Sequence, residues 1–122
     1  MRILGVFLLL SCFACAHRAQ PAKVPPEPWF NHIRAVGQDE EAGCRAITSV
    51  ETQIKAAALD PPIPREDYRS TRRIAFEDFE AKVMAAGGNA VRITLFSERG
   101  SGGSSKFALD GIHLVGNALA CP

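Results

Sequence analysis

Residues 3–10, ILGVFLLL, decide how much of this chain is left to fold. They form an unbroken apolar run behind Met1-Arg2, and the stretch AHRAQPAKVPPEPWFN, 16–31, separates them from the rest of the chain. Pro21, Pro25, Pro26 and Pro28 remove amide donors and bias their predecessors toward extended backbone. The most hydrophobic segment is thereby cut off from any core built further along. Residues 32–122 remain, enough for one small domain and not for two.

The apolar run is too short to span a bilayer as a helix, which takes about 20 residues. A positive start, a short apolar core and then small residues make the pattern of a secretory signal. Its end, Leu9-Leu10-Ser11-Cys12, resembles a bacterial lipobox: Leu, a small or apolar residue, a small residue, then Cys. That resemblance implies a leader over 1–11, cleavage before Cys12 and a diacylglycerol on its thiol, with further acylation (palmitate) giving the two or more chains that stable anchoring needs. Cys15 is the alternative. It has Ala14 before it and gives a longer leader, but Cys12 falls at its −3 position, out of pattern. The choice changes the cysteine count: acylation of Cys15 discards Cys12 and leaves Cys44 and Cys121 as an even pair. Phe13 follows Cys12 and Ala16 follows Cys15, and neither is the aspartate that retains such proteins in the inner membrane. The address implied is the outer membrane, facing the periplasm. Residues 12–31 then read as a lipidated N-terminus and a semi-rigid, polyproline-like tether, in which 16–31, some fifteen residues, reach up to about 45 Å at roughly 3 Å per residue. Trp29 and Phe30 close it and are expected to pack on the domain edge.

Charge narrows the partners. The chain has 14 basic and 13 acidic side chains, and loss of Arg2 with the leader leaves 13 of each. A near-neutral domain is a poor nucleic-acid binder, since phosphate tracks require clustered cations. The nearest approach to a cluster, Arg65, Arg69, Arg72 and Arg73, is interrupted by Glu66 and Asp67. The expected partners are the membrane, through the lipid, and other envelope proteins; no nucleic acid is expected.

Within 32–122, His32–Val36 alternates polar and apolar residues and predicts a strand, with Gly37–Glu41 as a turn. A β-rich segment, 44–52, predicts a second strand paired with the first as a hairpin. Residues 53–59 extend it or form one helical turn, and Asp60-Pro-Pro-Ile-Pro is a break. Phe76, Phe79, Val83 and Ala86 make one apolar stripe and predict a helix over 71–86. Ser70 or Thr71 is its expected cap, and Gly87 or Gly88 its left-handed stop. Residues 89–97 predict a third strand, 100–105 a Gly/Ser-rich loop, and 106–121 a fourth strand broken near Asp110-Gly111. The fold class is α+β: one main helix packed on a small, mainly antiparallel sheet of about four strands. So small a core is only weakly stabilised by burial. A Cys44–Cys121 disulfide would close a loop of nearly eighty residues, worth around 4 kcal/mol, and suits an exported compartment. The alternative is two free buried thiols.

Taken together, the lipobox, the proline-rich tether, a strand beginning at a Cys, a helix ending in Ala85-Ala-Gly-Gly-Asn-Ala-Val91 and a last strand ending in Gly116-Asn-Ala-Leu-Ala-Cys121 resemble the small lipoproteins related to the Rcs-type outer-membrane stress sensor. Gly88–Val91 and Cys121 carry most of the likeness, which covers roughly residues 40–122 and the leader. It implies a disulfide-stabilised α+β domain that works through protein contacts rather than catalysis. The chain departs from the stress sensor in having two domain cysteines where the sensor has four.

Little recognisable chemistry is written along the sequence. Gly100–Phe107 fails as a phosphate loop, because Ser105 and Phe107 flank Lys106 where Gly and Ser or Thr are required. His17, His32 and His113 have no Cys or His at metal-ligand spacing. Asp110 and His113 lack a nucleophile elbow. Glu77, Asp78 and Glu80 read as a solvated helix surface. The expectation is a non-enzymatic interaction or sensor module without cofactor or metal; the alternative is an exported enzyme or small-ligand binder whose site the sequence hides.

Overall fold

A computed structural model describes residues 23–101 and 108–122. The leader, Cys12 and Cys15, His17, the first part of the tether and most of the Gly/Ser-rich loop lie outside the described residues. The elements are β1 (Arg34–Ala35), α1 (Gln38–Glu41), β2 (Arg45–Lys55), a 3-10 turn (Ala56–Ala58), α2 (Tyr68–Ala85), β3 (Ala90–Ser101) and β4 (Ala108–Ala120). The strands form one mixed sheet in the order β1-β3-β4-β2, and α2 lies across one face of it. The fold is α+β in two layers.

The expected pairing of the first two strands is overturned. β1 runs parallel to β3, with Arg34 opposite Ala90 and Ala35 opposite Val91, while β2 pairs antiparallel with β4 at the other side of the sheet. Two ion pairs accompany this arrangement. Glu41 accepts from Arg92 at 3.0 Å, and Glu40 from Arg34 at 2.8 Å. Residues 38–41 therefore form a helical turn bridging β1 and β3 rather than a tight hairpin turn. Only Arg34 and Ala35 of the predicted first strand are extended and paired, and β4 runs through Asp110-Gly111 without a break. Gly111 stays paired on both sides, with Lys55 of β2 and Arg99 of β3.

Helix α2 begins three residues earlier than its apolar stripe indicates. Its cap is Asp67, whose carboxylate accepts the Ser70 amide at 3.2 Å, not Ser70 or Thr71. The stop is Gly87, at φ 88°, as the sequence predicts. Phe76, Phe79 and Val83 on its inner face are fully buried against Val50, Val91, Leu114 and Ala118 of the sheet. Phe79 settles where the sheet has no side chain: a Cβ at Gly116 would stand 3.0 Å from its ring and 2.6 Å from the Arg92 carbonyl. Phe76 stacks on Trp29 with centroids 5.3 Å apart and meets Phe30 at 5.4 Å and Phe96 at 5.9 Å. Trp29 and Phe30 thus pack on the domain edge, as expected, and contact with the core reaches back to Val24.

Candidate functional site

The helix layer is closed by polar devices as well as apolar ones. Glu80 is buried to 6% exposure on α2. One of its carboxylate oxygens accepts the amides of Asn31 at 2.8 Å, His32 at 3.0 Å and Ile33 at 3.3 Å, and the other meets His32 Nδ1 at 3.2 Å. Burial acts to raise this carboxyl; the bonds from His32, Asn31 and Ile33 outweigh it and hold the group below the ordinary glutamate value. Asp78 is half-buried, accepting from Thr52 at 2.8 Å and from Lys82 at 2.9 Å. Burial acts to raise it too, and the Lys82 and Thr52 bonds bring it below the usual aspartate value. Glu80 is therefore not part of a solvated surface, whereas the Asp78 side chain keeps 42% of its area exposed beside Lys82. The two carboxylates fasten α2 to the incoming chain and to β2, an office that residue type and helical spacing do not reveal.

The Cys44 and Cys121 sulfurs stand at disulfide distance, 2.02 Å. Cys121 is also held by Asn89, whose amide nitrogen donates to the Cys121 carbonyl at 2.9 Å and whose amide oxygen accepts the Cys121 N–H at 2.8 Å. One asparagine side chain thus completes the pairing of the C-terminal segment beyond β4. This gives Asn89, in the Gly88–Val91 stretch, a structural task.

The surface left for function is the other side of the sheet. α1 covers one end of it, over Ala46 and Leu119, around a depression of about 610 Å³ lined also by Gln38, Asp39 and Glu41. Beyond α1 the outward side chains Ser49, Glu51, Gln53 and Lys55 of β2 and Leu95, Ser97 and Arg99 of β3 are exposed, Leu95 by 40%. His113, Val115 and Asn117 of β4 run between them, half-buried by their neighbours. Cross-strand register sets these side chains in rows: Gln53, His113 and Ser97 form one, Lys55, Gly111 and Arg99 the next. Those six positions floor and flank a second depression, about 470 Å³, with Asp110 and Ala57 at its margin.

His113 sits at its centre. Its Nε2 has almost no exposed area and no hydrogen-bond partner among the described residues, and the nearest carboxylate oxygen, on Glu51, is 3.5 Å away. Asp110 does not reach it as a triad member: its carboxylate is engaged by Arg65. His32 is on the opposite layer with Glu80, and among the described residues no group of His, Cys, Asp and Glu is placed to hold a metal ion. The arginines at 65, 69 and 72 are tied to Asp110, Glu27 and Glu98, so they are no basic patch. Among the described residues no helix is long and apolar enough to cross a membrane.

The sequence flagged Cys44 and Cys121, and the fold brings them together. Cys12 and Cys15 lie outside the described residues. The rows on the open sheet face went unread, because they depend on the β2-β4-β3 register; the alternation in 49–55 was the one signal available for them. Comparison with known protein families, with curated proteins and with solved structures finds no match for this chain.

Proposed function

We propose that this chain is a lipid-anchored protein of the bacterial cell envelope, acylated at Cys12 with Cys15 as the alternative, and that its domain is a non-enzymatic interaction or sensor module at the outer membrane. The observation that carries the reading is Leu9-Leu10-Ser11-Cys12, a lipobox-like end to a short apolar leader, set ahead of a proline-rich spacer. The fold is consistent with it. The chain coming from the anchor joins the domain through Val24, Trp29 and Phe30 on the helix layer, so attachment leaves the opposite sheet face open for contacts. Among the described residues, contact with the domain reaches back to Val24. The terminal Cys44–Cys121 pair suits an oxidising compartment.

The test is the intact mass of the protein extracted from the membranes of a two-membrane host, with thiols alkylated before and after reduction. A chain starting at Cys12 or Cys15 and carrying acyl chains is the expected result, with two further thiols appearing only on reduction. A full-length or unacylated chain recovered without detergent would overturn the anchor.

A further inference from the structure

The open sheet face is chemically uneven, and one end of it is a built depression. Lys55 and Arg99 stand on β2 and β3, each directly opposite Gly111 of the intervening β4. Two strand spacings, about 10 Å, separate their backbones, a gap within the combined reach of two long side chains. Gly111 puts no side chain between them. The adjoining row supplies Gln53, His113 and Ser97 on the same face. Among the described residues none of Lys55, Arg99, Gln53 and Ser97 has a side-chain hydrogen bond or ion pair, and Nε2 of His113 is enclosed with no hydrogen bond, 3.5 Å from Glu51.

Acidic groups nearby do not cancel this. Asp110, at the margin, is neutralised by Arg65. Glu51 lies beyond Gln53 on β2, beside His113 at 3.5 Å, and is exposed. Among the other described cations, Arg34, Arg65, Arg69, Arg72, Lys82 and Arg92 face carboxylates, while Lys23, Arg45 and Arg73 do not. What sets this end of the face apart is the register: two unopposed cations flank one bare stretch of backbone, with neutral hydrogen-bonding groups alongside.

We infer that the depression between Lys55 and Arg99 binds a phosphate monoester. A carboxylate offers one charge and two oxygens. A phosphate monoester carries up to two negative charges and three acceptor oxygens, enough to meet both cations and still accept from Gln53 or Ser97. A nucleic-acid backbone does not fit, because the cations form a single pair and not a track. The inference gives a ligand to the sheet face named in the proposed function, and rests on that face being the contact surface. It does not depend on acylation: a chain found unacylated would sink the anchor and leave this binding intact.

The phosphate comes either from a soluble ligand or from a lipid headgroup, and one set of spectra separates them. The full chain is held in neutral detergent and titrated with inorganic phosphate against sodium chloride at matched ionic strength, reading the backbone amide resonances. The expected result is a saturable shift of Lys55, Gly111, Arg99 and His113. The double substitution Lys55→Gln/Arg99→Gln weakens it by about tenfold or more, while Arg45→Gln, an exposed cation elsewhere on β2, leaves it unchanged. The lipid arm moves the chain into phosphatidylcholine bicelles with and without phosphatidic acid. Shifts of the same amides only with phosphatidic acid assign the phosphate to a headgroup; phosphate binding without a bicelle response assigns it to a soluble monoester. No saturable shift in either arm, or equal weakening by Arg45→Gln, overturns the site.

Discussion

Glu80 is the residue on which the N-terminal join depends. A buried carboxylate with three amide donors gains bonds roughly twice as strong as neutral ones, and those donors belong to three consecutive residues, Asn31, His32 and Ile33. Glu80→Gln keeps the shape and replaces the charge with a weaker acceptor and an unmatched NH₂. It is expected to lower stability by about 2 kcal/mol, read as a lowered midpoint in urea. The pH dependence is set by the direction of the shift. The folded carboxyl lies below its unfolded value of 4.5, so its contribution is fully present above that pH and is lost as pH falls through the folded value. Stability of the native chain should therefore fall on acidification below about 4.5, and Glu80→Gln should flatten that fall. Asp78 contributes in the same sense at slightly lower pH, so the flattening is partial.

At the scale of the element, α2 shows what a periodic pattern leaves out. The apolar stripe located the inner face of the helix correctly, since Phe76, Phe79 and Val83 are all fully buried. It could not locate the first turn, whose residues Tyr68, Arg69 and Ser70 are polar or exposed and add nothing to the stripe. Capping is decided by which carboxylate reaches a free amide, and Asp67 does. Asp67→Ala should cost about 1 kcal/mol in thermal or chemical denaturation. Ser70→Ala should leave stability almost unchanged, because Ser70 is capped and is not the cap. Equal losses from both would place the start of the helix elsewhere.

For the whole molecule, the Cys44–Cys121 link joins the start of β2 to the end of β4, residues 77 apart in sequence. Both strands already pair along their length, so the link acts chiefly on the unfolded chain by closing a long loop. Cys44→Ser/Cys121→Ser is expected to lower stability by around 4 kcal/mol, a large part of the total for a domain of this size, measured by urea unfolding with and without reductant. Asn89 holds the Cys121 backbone independently, so the reduced domain should still pair its C-terminal segment before global unfolding. Hydrogen exchange at the Cys121 amide reads this directly.

Much of the architecture could be read from local pattern. β-rich composition marked the long strand from Arg45, the stripe marked the helix face, and Gly87 marked its end. These depend on neighbours in sequence, and so does the Asp78–Lys82 pair four residues apart on one helix. What required tertiary structure was everything set by distant partners. β1 pairs with β3, more than fifty residues further along, instead of β2, and Glu41 meets Arg92 across a similar separation. Glu80 is interior because a segment 47 to 49 residues away brings it three amides. Gln53, His113 and Ser97 share a row only because β4 lies between β2 and β3 in that register. A strand's sequence determines which side chains share a face, since the period of two is built into the backbone. Which strands lie beside it, and hence which side chains meet on that face, is decided by the packing of the whole.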